Sequence, residues 1–181
     1  KDASDAIWLH GKNLTVSEVF LTGKDANRID ATYEERDDSG VALVSLARTA
    51  AAGPAKLHFS YSAPFNTAAN ALYKVESGGL PYAVTQFEPI AARQVFPGFD
   101  EPGFKVPFEL AIVARPGDVA VTTTPEISAE DLGNGRMRHV FARTRPLPTY
   151  LIAFAVGPYD VVDFGMIPAN PVRKRGLALR G

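Results

Sequence analysis

Residues 104–114 read Phe-Lys-Val-Pro-Phe-Glu-Leu-Ala-Ile-Val-Ala, with an apolar side chain at every second position from Phe104 to Ile112. Side chains two residues apart lie on the same face of a strand, so this alternation predicts a half-buried β-strand over residues 104–114. Pro107 has no N–H to donate to a ladder, which predicts a sheet edge or a bulge at that point. The stretch indicates a fold built on sheets.

Strand-like patterns recur on both sides of this stretch. They predict strands at Ile7–His10, Thr15–Thr22, Val41–Ala47, Leu57–Ser62, Val119–Thr123 and Met137–Arg143. Residues 150–156 form a nearly continuous apolar run, which predicts a strand buried on both faces. Gly157-Pro158 interrupts this strand, and we expect it to resume at residues 159–164.

Turn signals separate these segments, and Gly133-Asn134-Gly135 predicts a hairpin turn. No segment carries a helical apolar stripe over three turns, and we expect only single helical turns at Ala91–Val95 and Ala129–Leu132. The sequence therefore predicts an all-β, mostly antiparallel fold, either a β-sandwich or a saddle-like arrangement of curved sheets.

Composition limits the classes of function. The 181 residues carry a formal net charge of -1, which argues against a general nucleic-acid surface or an anionic-membrane surface. No apolar run approaches the roughly 20 residues that span a bilayer. The chain has no cysteine, so it has neither disulfides nor a thiolate metal site.

The stretch from Tyr82 to Lys105 is the most specific part of the chain. It contains Thr-Gln-Phe-Glu at residues 85–88, Ala-Arg at 92–93 and Phe-Pro-Gly-Phe-Asp-Glu-Pro at 96–102. In order and spacing it resembles the signature of the zinc aminopeptidase family that includes aminopeptidase N and leukotriene hydrolase. Residues 7–15 and 144–157 are similar to an early strand and to the closing strand of that family's N-terminal β domain.

The resemblance implies a domain organisation and a reaction. Residues 1–164 would form the N-terminal β domain, and residues 165–181 would be a linker toward a catalytic domain outside this chain. The implied parent enzyme removes N-terminal residues from peptides with a zinc ion whose ligands lie in that catalytic domain. We therefore expect no catalytic residue and no metal ligand in this chain, which should be inactive by itself.

Two residues are candidates for substrate binding. Gln86 and Glu88 are two apart in an extended segment, so their side chains should share a face while Phe87 points inward. A carboxylate beside an amide suits charge-assisted hydrogen bonds to an α-ammonium group. The resemblance implies that Glu88 binds the free amine of the peptide N-terminus and that Gln86 lines the first side-chain pocket. A solvated strand face is the alternative from the residues alone.

We expect the other conspicuous polar groups to stabilise the fold, and we do not expect them to take part in catalysis or to bind a metal. Asp100-Glu101-Pro102 is an acidic turn that we expect to cap the backbone or to pair with Arg93. His10, His58 and His139 are far apart in sequence and lack the His-Glu-x-x-His spacing of a zinc helix. We assign no metal site to them.

Two further functions stay open at this level, a noncatalytic β-sandwich binding module and a degenerate aminopeptidase scaffold. The expected partners are a peptide N-terminus and the catalytic domain of the same polypeptide. Because unpaired sheet edges recruit other strands, we also expect self-association through an exposed edge.

Overall fold

A computed structural model describes residues 2–24 and 26–180, and nearly all regular structure in them is β-strand. The strands are β1 (Ser4–His10), β2 (Thr15–Thr22), β3 (Arg28–Glu35), β4 (Val41–Ala50), β5 (Lys56–Ser62), β6 (Ala71–Ser77), β7 (Leu80–Gln86), β8 (Ala111–Ala114), β9 (Val119–Thr122), β10 (Glu126–Gly133), β11 (Arg136–Phe141), β12 (Phe154–Gly157), β13 (Asp163–Ile167) and β14 (Leu177–Arg180). Two short 3-10 helices cover Ala92–Gln94 and Thr149–Leu151.

The strands form four antiparallel sheets, which confirms the predicted all-β, mostly antiparallel fold. The largest sheet has the order β1-β4-β3-β2-β5, and the next has the order β6-β7-β12-β9. Strands β10-β11-β8 and β13-β14 form the two smaller sheets. The edges of the largest sheet are β1 and β5, and self-association through such an edge stays a prediction.

Two hydrophobic cores hold the sheets. The first lies on the five-stranded sheet and consists of Leu9, Val19, Leu21, Ile29, Ala42, Val44 and Leu46. The second surrounds Phe87, whose ring meets those of Phe96 and Phe154 edge to face at centroid distances of 5.8 and 6.4 Å. Aromatic pairs in this geometry contribute about 0.5–1.5 kcal/mol beyond their buried area.

Most predicted strands are confirmed. β1, β2, β4, β5, β9 and β11 each overlap the segment expected from sequence, and β2 has the predicted bounds. The hairpin turn at residues 133–135 joins β10 to β11, with positive φ at all three residues, and the turn at Ala91–Val95 contains the first 3-10 helix.

The strand predicted over residues 104–114 is wrong in extent, because β8 begins only at Ala111. Val106 makes an isolated bridge to Leu147, and Pro107 has no backbone N–H to continue the pairing. The N–H of Phe108 then donates to the side-chain oxygen of Thr144 at 2.9 Å. The backbone hydrogen bonds that remain, with Phe141, Thr144 and Leu147, are too irregular to form a continuous strand.

Three other predictions are wrong. Residues 150–156 do not form one buried strand, because the second 3-10 helix ends at Leu151, which is 48% exposed, and β12 begins at Phe154. The strand expected at 159–164 lies instead at Asp163–Ile167. Residues 129–132 belong to β10, where pairing with β11 outweighs a weak local preference for a helical turn.

The sequence patterns also missed several strands. β3, β6, β7, β10 and β14 lie outside the predicted segments, although Ile29, Ala31 and Tyr33 of β3 alternate with polar side chains. Residues 163–180 contain β13 and β14, which pair with each other, and the domain boundary placed at residue 164 stays a prediction. No helix in the described ranges is long and apolar enough to cross a membrane.

Candidate functional site

The segment Gln86–Glu88 follows directly from β7, which ends at Gln86. β7 is held between β6 and β12, and Ala71 of β6 lies opposite Gln86. Phe87 is 1% exposed and anchors the segment in the second core, whereas Gln86 and Glu88 are exposed. The alternation expected from sequence therefore holds over these three residues, with two polar side chains directed to solvent around a buried ring.

A hydrogen bond within the segment orders its backbone. The Oε1 atom of Gln86 accepts the N–H of Glu88 at 3.1 Å. Within the described residues, the Glu88 carboxylate makes neither a hydrogen bond nor an ion pair. An exposed carboxylate without a partner keeps all its acceptor sites for a cationic ligand, and the adjacent amide can add neutral hydrogen bonds.

Downstream of this segment, Arg93 and Asp100 form a buried ion pair. The Nε atom of Arg93 donates to Asp100 Oδ2 at 3.0 Å, and the backbone N–H of Arg93 donates to the same oxygen at 3.0 Å. The two residues are 4% and 1% exposed. The predicted pairing of the acidic turn with Arg93 is confirmed.

This ion pair connects distant parts of the chain. The guanidinium also donates to the backbone carbonyls of Ser39 and Asp100, at 2.7 and 2.6 Å. The hydroxyl of Thr149 donates to Asp100 Oδ1, and the N–H of Asp100 donates to His10 Nδ1 at 3.2 Å. The network thereby joins β1, the β3–β4 turn and both 3-10 helices into one unit.

Every hydrogen-bonding atom of the Asp100 carboxylate therefore has a partner inside the fold. A carboxylate in that position has no free face for a substrate. The neighbouring Glu101 is half exposed and lies 3.6 Å from Arg93 and 3.5 Å from His10. Asp100 therefore stabilises the fold, and the absence of a catalytic role for this acidic turn stays a prediction.

The three histidines lie in separate environments. His58 contacts the hydroxyl of Thr22 at 3.0 Å, and His139 contacts Glu126 at 3.1 Å. Burial lowers the pKa of His10 below its ordinary 6.5, and the charge of Arg93 lowers it further, against smaller opposing effects of Glu101, Asp100 and Asp37. In the part of the chain that the structure describes, no three His, Asp or Glu side chains are arranged to hold a metal ion.

Sequence reasoning missed the partners that complete the network, which are Ser39 and Thr149. Both lie about 50 residues from the atoms they bind. Gly40 carries the only local signal, because its φ is +85° and an added Cβ would lie 2.9 Å from Arg93 Cδ. A turn glycine alone does not reveal which side chain it makes room for.

Fold and site together define an all-β domain that presents a polar pair at the end of a strand and contains no metal-binding cluster among its described residues. The family described as Peptidase M1 N-terminal domain matches residues 1–151. The chain belongs to this family.

Curated relatives are aminopeptidases. Aminopeptidase N of Acetobacter pasteurianus is 33% identical over 152 residues, which cover 81% of this chain and 42% of the relative. Puromycin-sensitive aminopeptidase of Caenorhabditis elegans is 28% identical over 90% of this chain and 18% of its own length. Human endoplasmic reticulum aminopeptidase 1 is 37% identical over half of this chain and 10% of its own length. The chain thus spans less than half the length of these relatives.

Proposed function

We propose that this chain is the substrate-anchoring part of an aminopeptidase that removes N-terminal residues from peptides. The observation that carries the proposal is the exposed Glu88 carboxylate beside Gln86, which has no partner among the described residues and lies on a segment that buried Phe87 holds in place. Family membership and relatives that are named aminopeptidases support the reaction class.

In this proposal Glu88 accepts hydrogen bonds from the α-ammonium group of the peptide, and Gln86 borders the pocket for the first side chain. Binding the amine at a fixed position sets the distance from the N-terminus to the bond that is cleaved. Cleavage is thereby restricted to the first peptide bond, as in an exopeptidase. In this proposal the Arg93–Asp100 network, which lies a few residues further along the chain, keeps the segment rigid, because small displacements of positioning groups reduce rates strongly.

The resemblance to zinc aminopeptidases implies a metal, and the described residues do not fit one, because no suitable group of ligands exists among them. In this proposal, any zinc ion of the whole protein is held by residues of the polypeptide outside this chain. The role proposed for this chain is to bind and orient the substrate amine, and no metal-dependent step is assigned to its residues.

The test is Glu88→Ala in the full-length protein. Loss of a charged contact in a partly desolvated site costs about 2–4 kcal/mol, so kcat/KM for an aminoacyl anilide should fall tens- to hundreds-fold. Gln86→Ala should act more weakly and mainly change the preference for the first side chain. Glu130→Ala is a matched control, because Glu130 is an exposed strand carboxylate on β10.

A second measurement separates amine binding from a general loss of structure. The parent protein should bind a free tripeptide more tightly than its N-acetylated form, and Glu88→Ala should reduce that difference while circular dichroism stays unchanged. Near-normal kcat/KM in Glu88→Ala, or an undiminished preference for the free amine, would remove Glu88 from the amine site.

A further inference from the structure

The four-stranded sheet β6-β7-β12-β9 has one face that carries apolar side chains and does not pack into a core. Residues directly opposite each other in antiparallel strands share a face, and so do residues two apart on one strand. By these rules eight apolar residues of the sheet lie on the same face, which we call the outer face. They are Tyr73, Val75, Leu80, Tyr82, Val84, Val119, Val121 and Ala155.

The opposite face of this sheet packs inside the fold, where Leu72 and Phe154 contact the second hydrophobic core. Among the described residues, the eight of the outer face belong to neither hydrophobic core. Val75, Leu80 and Val121 are 41%, 48% and 42% exposed, and the other five are half-buried. The outer face is therefore open in this chain.

The chemistry of the outer face is unusual for an open surface. An antiparallel sheet that packs on a core with one face commonly carries polar side chains on the other. The remaining strand residues on this side are Ser77, Gln86 and Gly157, and none of them is charged. Lys74 and Glu76 lie on the opposite face and pair with each other at 3.1 Å. Apolar side chains on both faces indicate a sheet that is covered on both sides.

Three tyrosines give the outer face the composition of an interface. The ring of Tyr159, just after β12, lies 4.8 Å from the ring of Tyr82. Burial raises the pKa of Tyr159, and the nearby Tyr82 and Tyr73 raise it further. Gly157 leaves room for this packing, because an added Cβ would lie 2.5 Å from Tyr82 Cδ1. Tyrosine is enriched in protein interfaces, where its ring packs and its hydroxyl finds a partner.

Two observations identify what covers the outer face. This chain covers 42%, 18% and 10% of the length of three aminopeptidase relatives, so those polypeptides contain much more protein than this domain. Gln86 lies two residues beyond Val84 on the same face, so the outer face runs directly into the Gln86–Glu88 segment. The proposed function, on which this step rests, places the reactive centre beside that segment and outside this chain.

The size of the outer face disfavours a second copy as the occupant. Four strands and the two-residue steps from Leu80 to Val84 cover roughly 250 Å². Each partner of a stable complex contributes about 800 Å². A domain of the same polypeptide can dock on a smaller surface, because the connecting chain holds it at a high effective concentration.

We propose that the outer face is the docking surface for a further domain of the same polypeptide, which presents an apolar surface to Tyr73, Val84 and Val121. Docking at this place brings that domain against Gln86 and Glu88 and fixes its distance from the bound amine. Because the outer face lacks charges, the contact depends on burial of apolar area and on hydrogen bonds to the tyrosine hydroxyls.

The test measures how fast a thiol on the outer face reacts with a maleimide in the full-length protein. Val121→Cys places the thiol on the outer face, and Ser45→Cys is the matched control, because Ser45 is exposed on β4 between the neutral residues Ala6 and Thr32. This chain has no cysteine, so mass spectrometry of the peptide around residue 121 or 45 identifies each label. Val121→Cys should react roughly tenfold more slowly than Ser45→Cys.

Equal labelling rates would overturn the proposal, because the outer face would then be open in the whole protein. Slow labelling of Val121→Cys that accelerates when the protein is diluted would also overturn it, because a second copy would then be the occupant. Glu88→Ala should change neither rate. Slow labelling together with normal kcat/KM in Glu88→Ala would therefore reject the amine site and retain the docking surface.

A charge at the same position tests the contact by stability. Val121→Lys buries an unpaired charge in the interface and should lower the melting temperature of the full-length protein by roughly 3 °C. Ser45→Lys, at an exposed position of β4, should shift it by less than about 1 °C. Equal shifts in the two variants would overturn the proposal.

Discussion

Asp100→Asn should be among the most destabilising single substitutions in this domain. Asp100 and Arg93 are almost fully buried, and the Asp100 carboxylate accepts from Arg93 N–H, Arg93 Nε–H and the Thr149 hydroxyl. An asparagine fits the same space and keeps an acceptor oxygen for Arg93. The substitution therefore removes the buried negative charge, which leaves the guanidinium only the half-exposed Glu101 carboxylate at 3.6 Å as a counter-ion.

The magnitude follows from that loss. Removing one member of a buried, hydrogen-bonded ion pair costs about 3–5 kcal/mol. A domain of this size has a total free energy of unfolding of about 5–15 kcal/mol, so the variant loses a large share of its stability. Thr149→Val removes only one hydrogen bond to Asp100 and should cost about 1–2 kcal/mol.

Urea unfolding of the 181-residue chain, followed by far-UV circular dichroism and by the fluorescence of Trp8, measures these differences. Glu76→Gln is the matched control, because its ion pair with Lys74 is exposed and exposed pairs contribute about 0–1 kcal/mol. The double variant Arg93→Met with Asp100→Leu should be more stable than Asp100→Asn, since no buried charge remains.

Two results would refute this reasoning. A free energy of unfolding for Asp100→Asn within about 1 kcal/mol of the parent would mean that water or another group compensates the guanidinium. A double variant no more stable than the single one would show that packing, and not the unpaired charge, determines the cost.

Two further predictions concern the surroundings of this pair. The pKa of His10 is lowered in the fold, so folding favours the neutral imidazole. The stability that this contributes is present above pH 6.5 and is lost as the pH falls through the pKa of the folded state. The urea midpoint should therefore drop between about pH 7.5 and pH 5.5, and His10→Gln should make that drop smaller. An equal drop in the variant would mean that protonation of His10 is not its cause. Gly40→Ala should cost roughly 1–3 kcal/mol, because φ is +85° and the new Cβ meets Arg93. Gly103→Ala, with open space around its Cβ, is the control for the same urea measurement, and an equal loss in both variants would exclude the steric reason.

The sequence by itself determined the fold class, the positions of six of the fourteen strands in the described residues, and the family. Alternation of apolar residues is a local property, so β2 and β5 could be located within a residue of their observed bounds. The exposure of Gln86 and Glu88 around Phe87 followed from the same period of two. The pairing of Arg93 with Asp100 was also accessible, because only seven residues separate them.

Tertiary structure decided what depends on partners that are distant in sequence. Residues 104–110 alternate like a strand, yet their backbone pairing is irregular, because Pro107 has no N–H and the N–H of Phe108 donates to the Thr144 side chain. Residues 129–132 lack a clear strand pattern, yet they pair with β11. β2 and β3 both alternate, yet they pair with each other at only three positions, and beyond these each pairs with its outer neighbour. Local patterns set which residues can pair, whereas the competition among long-range partners sets which pairs form.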